Sequence, residues 1–152
     1  MIHQTFNFVI RIDTGDGGLL CEAAFAECAG LEMSAPPKTI REGGNNAGPV
    51  HLAGPVVYGT LALKRGMSES FDLWNWFSGV HRDDQRHRRA ECEIEVRTPD
   101  NTATAYSLRL SRCFPIKLKA PDLNAREGGI AIEEIEIAYE GMRLEAPGGG
   151  RG

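Results

Sequence analysis

Residues able to do chemistry are plentiful in this sequence, but their spacing gives them no reaction to perform. The four cysteines, Cys21, Cys28, Cys92 and Cys113, are dispersed, with no CxxC pair among them. Each sits among apolar or alternating neighbours, which reads as reduced, buried thiols. His81 and His87 lie in the charged run HRDDQRHRR without HExxH spacing, and the only other soft ligands are the scattered cysteines, so no metal site is expected. No serine occupies a GxSxG elbow, and no cysteine has an evident histidine partner. Gly43-Gly44-Asn45-Asn46-Ala47-Gly48 invites comparison with phosphate-binding loops. It lacks the lysine and hydroxyl residue of such a loop, and no helix N-terminus follows directly to present amides. Arg82, Arg86, Arg88 and Arg89 could meet phosphates, yet Asp83 and Asp84 dilute them and no aromatic residues are interleaved for base stacking. The net charge of −4 adds no general attraction to nucleic acid. No catalytic residue and no cofactor is expected.

The elements that carry these residues fit one domain. A chain of 152 residues can bury a core but is short for two ordinary domains. The expected division is a β-domain over 1–145 and a flexible tail over 146–152, where APGGGRG has nothing to bury. No run is long enough to span a bilayer, and Met1 to Gln4 lacks the marks of a signal peptide, so synthesis in a reducing cytoplasm is expected.

The stretch from Tyr58 to Val80 organises the rest. It opens as a strand, with Val57, Gly59, Leu61 and Leu63 alternating against Tyr58, Thr60, Ala62 and Lys64. The period changes at Arg65-Gly66. Ser68 is the expected N-cap of a helix with Glu69 and Asp72 in its first turns, and Gly79 is its expected stop. Phe71, Trp74 and Phe77, with Leu73 alongside, form the expected core plug of that helix.

Strands account for most of the remainder. Phe6, Phe8, Ile10 and Ile12 alternate with polar neighbours, a glycine-rich turn follows, and a weaker strand returns from Leu19 to Glu27. Leu31 to Arg41 continues as a strand interrupted by Pro36-Pro37. Glu42 to Pro55 shows no periodicity and reads as a long loop. Ala90, Cys92, Ile94 and Val96 alternate strictly with Glu91, Glu93, Glu95 and Arg97, which puts the acids on a solvated face. A return strand through Tyr106, Leu108 and Leu110 is expected to end at Phe114-Pro115, with a brief alternation beyond. Ile130 and Ile132 share one parity while Ile135, Ile137 and Tyr139 share the other, which predicts a β-bulge at Glu133-Glu134 or a strand that changes sheets.

Six segments in order carry a resemblance: Ala29-Gly30-Leu31-Glu32, Arg41-Glu42-Gly43-Gly44-Asn45-Asn46, Leu63-Lys64-Arg65-Gly66, Leu73-Trp74-Asn75-Trp76-Phe77, Pro121-Asp122-Leu123-Asn124, and Glu133 to Gly141. Their order and spacing resemble the tail tube protein family of contractile phages and phage-like contractile injection systems, over nearly the whole chain. Pro36-Pro37 departs from the pattern, and the tail after Ala146 is extra.

The resemblance implies a mainly β fold, two antiparallel sheets forming a barrel-like sandwich with one flanking α-helix. It also implies a homo-hexamer stacking into a tube, a contractile sheath protein around it, baseplate and cap proteins at its ends, and possible lumenal cargo. The particle, a virion or an injection system, would be the final location. The loop residues Arg41, Glu42, Gly43, Gly44, Asn45, Asn46 and His51 would make ring-stacking or subunit contacts. Glu91, Glu93, Glu95 and Arg109, facing away from the core, become candidates for the channel wall. The alternatives are a related baseplate or terminator ring protein, and a monomeric ligand-binding β-barrel.

Overall fold

Ile10 and Ile12 have no exposed surface and set the inward face of the first strand, β1 (Asn7–Asp13). The computed structural model describes residues 7–15, 19–40, 50–67, 70–82, 88–123 and 131–147. The chain continues through β2 (Leu19–Ala23), β3 (Glu27–Ala29), β4 (Met33–Ser34), β5 (Lys38–Ile40), β6 (Val50–Leu52), β7 (Val57–Tyr58) and β8 (Thr60–Gly66). The helix α1 (Asp72–His81) follows, then β9 (Ala90–Arg97), β10 (Thr104–Lys119), β11 (Ile132–Ala138) and β12 (Gly141–Glu145).

The long strands lie in the order β2-β1-β9-β10-β11-β8-β3, with β12 also paired to β10, and every pairing is antiparallel. The order does not close on itself. Two sheets share β10 and face each other as a sandwich, mainly β with one flanking helix, as the sequence implied. Their interior is filled by Ile10, Ile12, Leu61, Leu63, Ile94, Leu110, Ile135 and Ile137, with Leu73 contributed by α1. The helix packs on β10 and β2.

Several expectations are corrected. Phe114-Pro115 does not end its strand, because β10 runs unbroken for 16 residues. Its pairing shifts between Leu110 and Cys113, beside Arg112 at φ 54°, and again between Pro115 and Lys117. These bulges bend β10 so that its first half pairs with β9 and β12 and its second half with β11. Proline is tolerated at such a point because a bulge needs no ladder N–H there. The weak return strand is two strands: β2 stays with β1, and after Ala24–Ala26 the chain crosses over so that β3 pairs with β8.

The bulge expected at Glu133-Glu134 is absent. The ladder of β11 on β8 is continuous from Ile132↔Gly66 to Ala138↔Thr60. Glu133, Ile135, Ile137 and Tyr139 share the inward parity, and Ile132 points out. A carboxylate takes the inward place because Arg65 on β8 meets it there. Ile130 lies outside the described residues.

The helix also begins and ends elsewhere than expected. Its N-cap position is Phe71, in the left-handed region at φ 53°, so the expected cap at Ser68, which lies outside the described residues with Glu69, is not the helix boundary. Gly79 does not stop it, for the helix continues through Val80 to His81 and Arg82 N–H closes on Ser78 O. Leu73, Trp76 and Val80 are the buried face. Phe71 is 49% exposed, and Trp74 and Phe77 are half-buried, so the expected plug residues are not the ones inside. At about 100° per residue, Leu73, Trp76 and Val80 fall within about 60° of arc, whereas Trp74 lies about 100° and Phe71 about 160° from Leu73.

Candidate functional site

Within the segment expected to be a long loop, Glu42 to Pro55, the described part holds a strand, β6, over Val50–Leu52 and no regular structure over 53–55. Lys38, Thr39 and Ile40 of β5 pair with Leu52, His51 and Val50 of β6, so His51 sits opposite Thr39 in a strand. Arg41, Glu42, Gly43, Gly44, Asn45 and Asn46 lie outside the described residues. Nearer the core, β4 pairs with β7 through Met33↔Tyr58 and Ser34↔Val57. The two short pairs make an arm separate from the main sheets, with Glu32 to Thr39 wholly exposed. Met33, Leu52, Val56 and Val57 are large apolar side chains left in solvent on it. Glycine lets its two sides touch, since a Cβ on Gly54 would stand 2.1 Å from Pro36 O.

Tyr139 fixes the root of this arm. Its ring is buried beside Tyr58, with centroids 5.5 Å apart. Its hydroxyl donates to Gly30 O at 2.8 Å and accepts from Glu32 N–H at 3.1 Å. Gly59 N–H reaches Glu32 O at 3.0 Å. Gly30 holds φ +90°, and a Cβ there would lie 1.7 Å from Thr60 O, so no other residue fits.

A second feature is the charged face of the sheet that contains β2, β1, β9, the first half of β10, and β12. Arg11 Nε meets Glu22 at 2.6 Å, its Nη1 meets Glu93 at 3.3 Å and its Nη2 meets Glu95 at 2.8 Å. Arg97 also reaches Glu95 at 2.7 Å. Arg109 lies 3.9 Å from Glu93 and 3.0 Å from Glu145, which in turn meets Arg143 at 3.3 Å. Of the channel-wall candidates Glu91, Glu93, Glu95 and Arg109, the last three join the network. Glu95 departs from the solvated reading, being 8% exposed beneath Arg11, Arg97 and Thr104. The hydroxyl of Thr104, then Arg11, hold its carboxyl below the usual range.

The third feature is buried. Arg65 donates from Nε to Glu133 Oε2 at 2.6 Å and from Nη2 to Asp72, and its guanidinium lies 5.2 Å from the centre of the Phe25 ring. Trp74 Nε1–H donates to the other oxygen of Glu133 at 2.8 Å. Asp72 Oδ1 also accepts Leu73 N–H at 2.8 Å, so one carboxylate in the first turn of the helix ties it to β8. Burial opposes the charge of Arg65, but the bonds to Asp72 and Glu133 outweigh it and raise its pKa further. Cys21 Sγ, 3.5 Å from Arg65, is pushed up to about 12, by burial first and then by Asp72. Burial likewise lifts Cys28 to about 11, and a thiol–thiol hydrogen bond with Cys113, together with burial, raises Cys92.

Sequence reasoning missed Arg65, Glu133 and Tyr139. The signal was available: Arg65 continues the inward parity of Leu61 and Leu63, and Glu133 that of Ile135 and Ile137. Two inward charges of opposite sign on neighbouring strands are one ion pair. Among the described residues, no group of three or more His, Cys, Asp or Glu is placed to hold a metal, and no helix is long and apolar enough to cross a membrane.

A sandwich with open sheet edges, an exposed arm and a charged sheet face presents, among the described residues, strand edges on which another chain can pair. The fold is shared by a chain of the six-fold symmetrised baseplate of the anti-feeding prophage (24% identity, 96% of this chain and 97% of that one, TM-score 0.77). It is shared as well by a chain of the sheath-tube complex of the extracellular contractile injection system PVC (19% identity, 93% and 90%, TM-score 0.74). Hcp1 from Flavobacterium johnsoniae has it too (12% identity, 93% and 96%, TM-score 0.59). No curated protein matches the sequence. The model of the T4-like virus tail tube protein gp19 family matches residues 4–143, and this chain belongs to that family. It is a structural protein of the tail-tube type.

Proposed function

We propose that this chain is the repeating subunit of the inner tube of a contractile injection system or phage tail. Six copies join their sheets into a ring around a channel, rings stack into a tube, and contraction of a surrounding sheath drives the tube through a target envelope. The family match across 4–143 carries this reading. It is supported by β2 and β12, each paired on one side only among the described residues, and by the apolar side chains exposed on the arm. The arm, from Met33 to Tyr58, is the contact to the neighbouring subunit or ring, and Arg41, Glu42, Gly43, Gly44, Asn45, Asn46 and His51 are its contact residues. Baseplate and cap proteins would close the tube ends, and soluble cargo would occupy the channel.

Electron microscopy of the purified protein tests the reading. Rings or tubes with a central hole are expected, and a strictly monomeric protein at high concentration would remove it. The likeness to a baseplate chain favours one alternative, a single initiating ring. Discs that never stack, even with the sheath protein present, would select that alternative.

A further inference from the structure

The charged sheet face contains one straight row of residues, one from each strand. Glu22 of β2 stands opposite Arg11, Arg11 opposite Glu93, Glu93 opposite Arg109, and Arg109 opposite Arg143 of β12. The row therefore begins with an acid on one open edge and ends with a cation on the other. Both ends are the loose ones, with side chains 51% exposed at Glu22 and 71% at Arg143. Among the described residues, β2 pairs only with β1 and β12 only with β10.

We infer that the occupant of each edge is a second copy of this chain, with Arg143 of β12 seated against Glu22 of the neighbour's β2. This rests on the ring reading above and specifies which edges meet and in which register. Four antiparallel steps separate β2 from β12, so both strands run in the same direction. Rotation about a ring axis preserves that direction, and the two edges meet as parallel neighbours. The charge pattern then continues through the joint, and the ion pairs of each subunit become one belt around the channel.

The opposite face fits the same register. There the row is Ala23, Ile10, Ile94, Leu108 and Leu144. Leu144 is 63% exposed at one end, and the small side chain of Ala23 stands at the other. A large apolar side chain without cover meets a small one with space beside it. Sliding the joint by two residues would set Glu145 against Glu22, acid against acid, so charge selects the register more than it adds affinity.

Cross-linking tests this in the assembled protein. Glu22 and Arg143 occupy opposite edges of one subunit, so a disulfide between Glu22→Cys and Arg143→Cys can form only between copies. Mild oxidation of the double variant should give a non-reducing ladder ending at the closed ring, absent from the parent protein. The Glu22→Cys, Glu145→Cys pair should link far less. Rings that form without the first link, or in which the second forms as readily, overturn the register. Should the cysteine variants not assemble, Glu22→Arg with Arg143→Glu decides: ring recovery in the double reversal, lost in each single one, supports the pair, and equal loss in the double overturns it. A parent protein that forms no rings at all removes the tube reading, and this inference with it.

Discussion

Arg65 Nε and Glu133 Oε2 lie 2.6 Å apart on adjacent strands, with side chains 7% and 2% exposed. Charges so deeply buried stabilise the fold only when paired: without Arg65, Glu133 and Asp72 lose the cation they share, and without Glu133 the guanidinium keeps Asp72 alone. Arg65→Ala and Glu133→Ala should each lower stability by about 3–5 kcal/mol. The double substitution Arg65→Met with Glu133→Leu should recover only part of that loss, because Asp72 and Trp74 Nε1–H still lose their partners. Urea titrations of the four proteins measure it, and additive losses would show that the two side chains act independently.

Asp72 makes the same network sensitive to acid. Burial opposes its charge, but the bond and the charge of Arg65 outweigh burial and hold its carboxyl below the usual aspartate range. The folded protein therefore takes up this proton at lower pH than the unfolded chain does. Its contribution is complete above the unfolded value, about 3.9, and is lost as pH falls through the lower folded value. Melting temperatures measured between about pH 5 and about pH 2 should fall steeply, and Asp72→Asn should be less stable at neutral pH with a shallower acid slope. An identical acid slope in the variant would assign the effect to other carboxylates.

Tyr139 is the latch of the arm. Tyr139→Phe keeps the ring against Tyr58 but leaves Gly30 O and Glu32 N–H without the hydroxyl that both use. The cost should be about 1–3 kcal/mol. Amide exchange should quicken at Glu32 and along β4 while β9 stays protected. Uniform acceleration would mean that the hydroxyl stabilises the whole fold and not the arm.

Period and parity made much of this architecture legible. Strict alternation from Ala90 to Arg97 marked a strand with one buried face, and the mainly β class with one helix followed from such runs. Features that depend on partners distant in sequence were hidden. The parity break before Ile135 reads as a bulge because Ile132 and Ile135 differ in parity; Ile132 in fact points out, and Glu133 takes the inward place because Arg65, 68 residues away, meets it. Val50 to Leu52 reads as loop because three residues carry no period of their own. They become a strand because Lys38 to Ile40 offers them a ladder. On the assembly surface, Glu91, Glu93, Glu95 and Arg109 were legible as an outward face. Glu22 and Arg143 were not, since their value lies in being the two ends of one row.

The helix face gives a last test, in which three aromatic residues on one short segment should respond differently. Trp76 is 7% exposed and sits between Leu73 and Val80 on the face turned to the sheet. Trp76→Ala should cost about 3–5 kcal/mol, through lost burial and the cavity left behind. Phe71 is 49% exposed, and its left-handed backbone at φ 53° gains nothing from a bulky side chain. Phe71→Gly should be neutral or stabilising, since glycine adopts that conformation without strain. Trp74 stands between these two. Trp74→Phe retains most of its half-buried ring but strands Glu133 Oε1, and should cost about 1–3 kcal/mol. Thermal melts of the three variants should rank them Trp76→Ala below Trp74→Phe below Phe71→Gly. A reversed order would return the buried face to the residues at three-residue spacing and contradict the helix orientation described here.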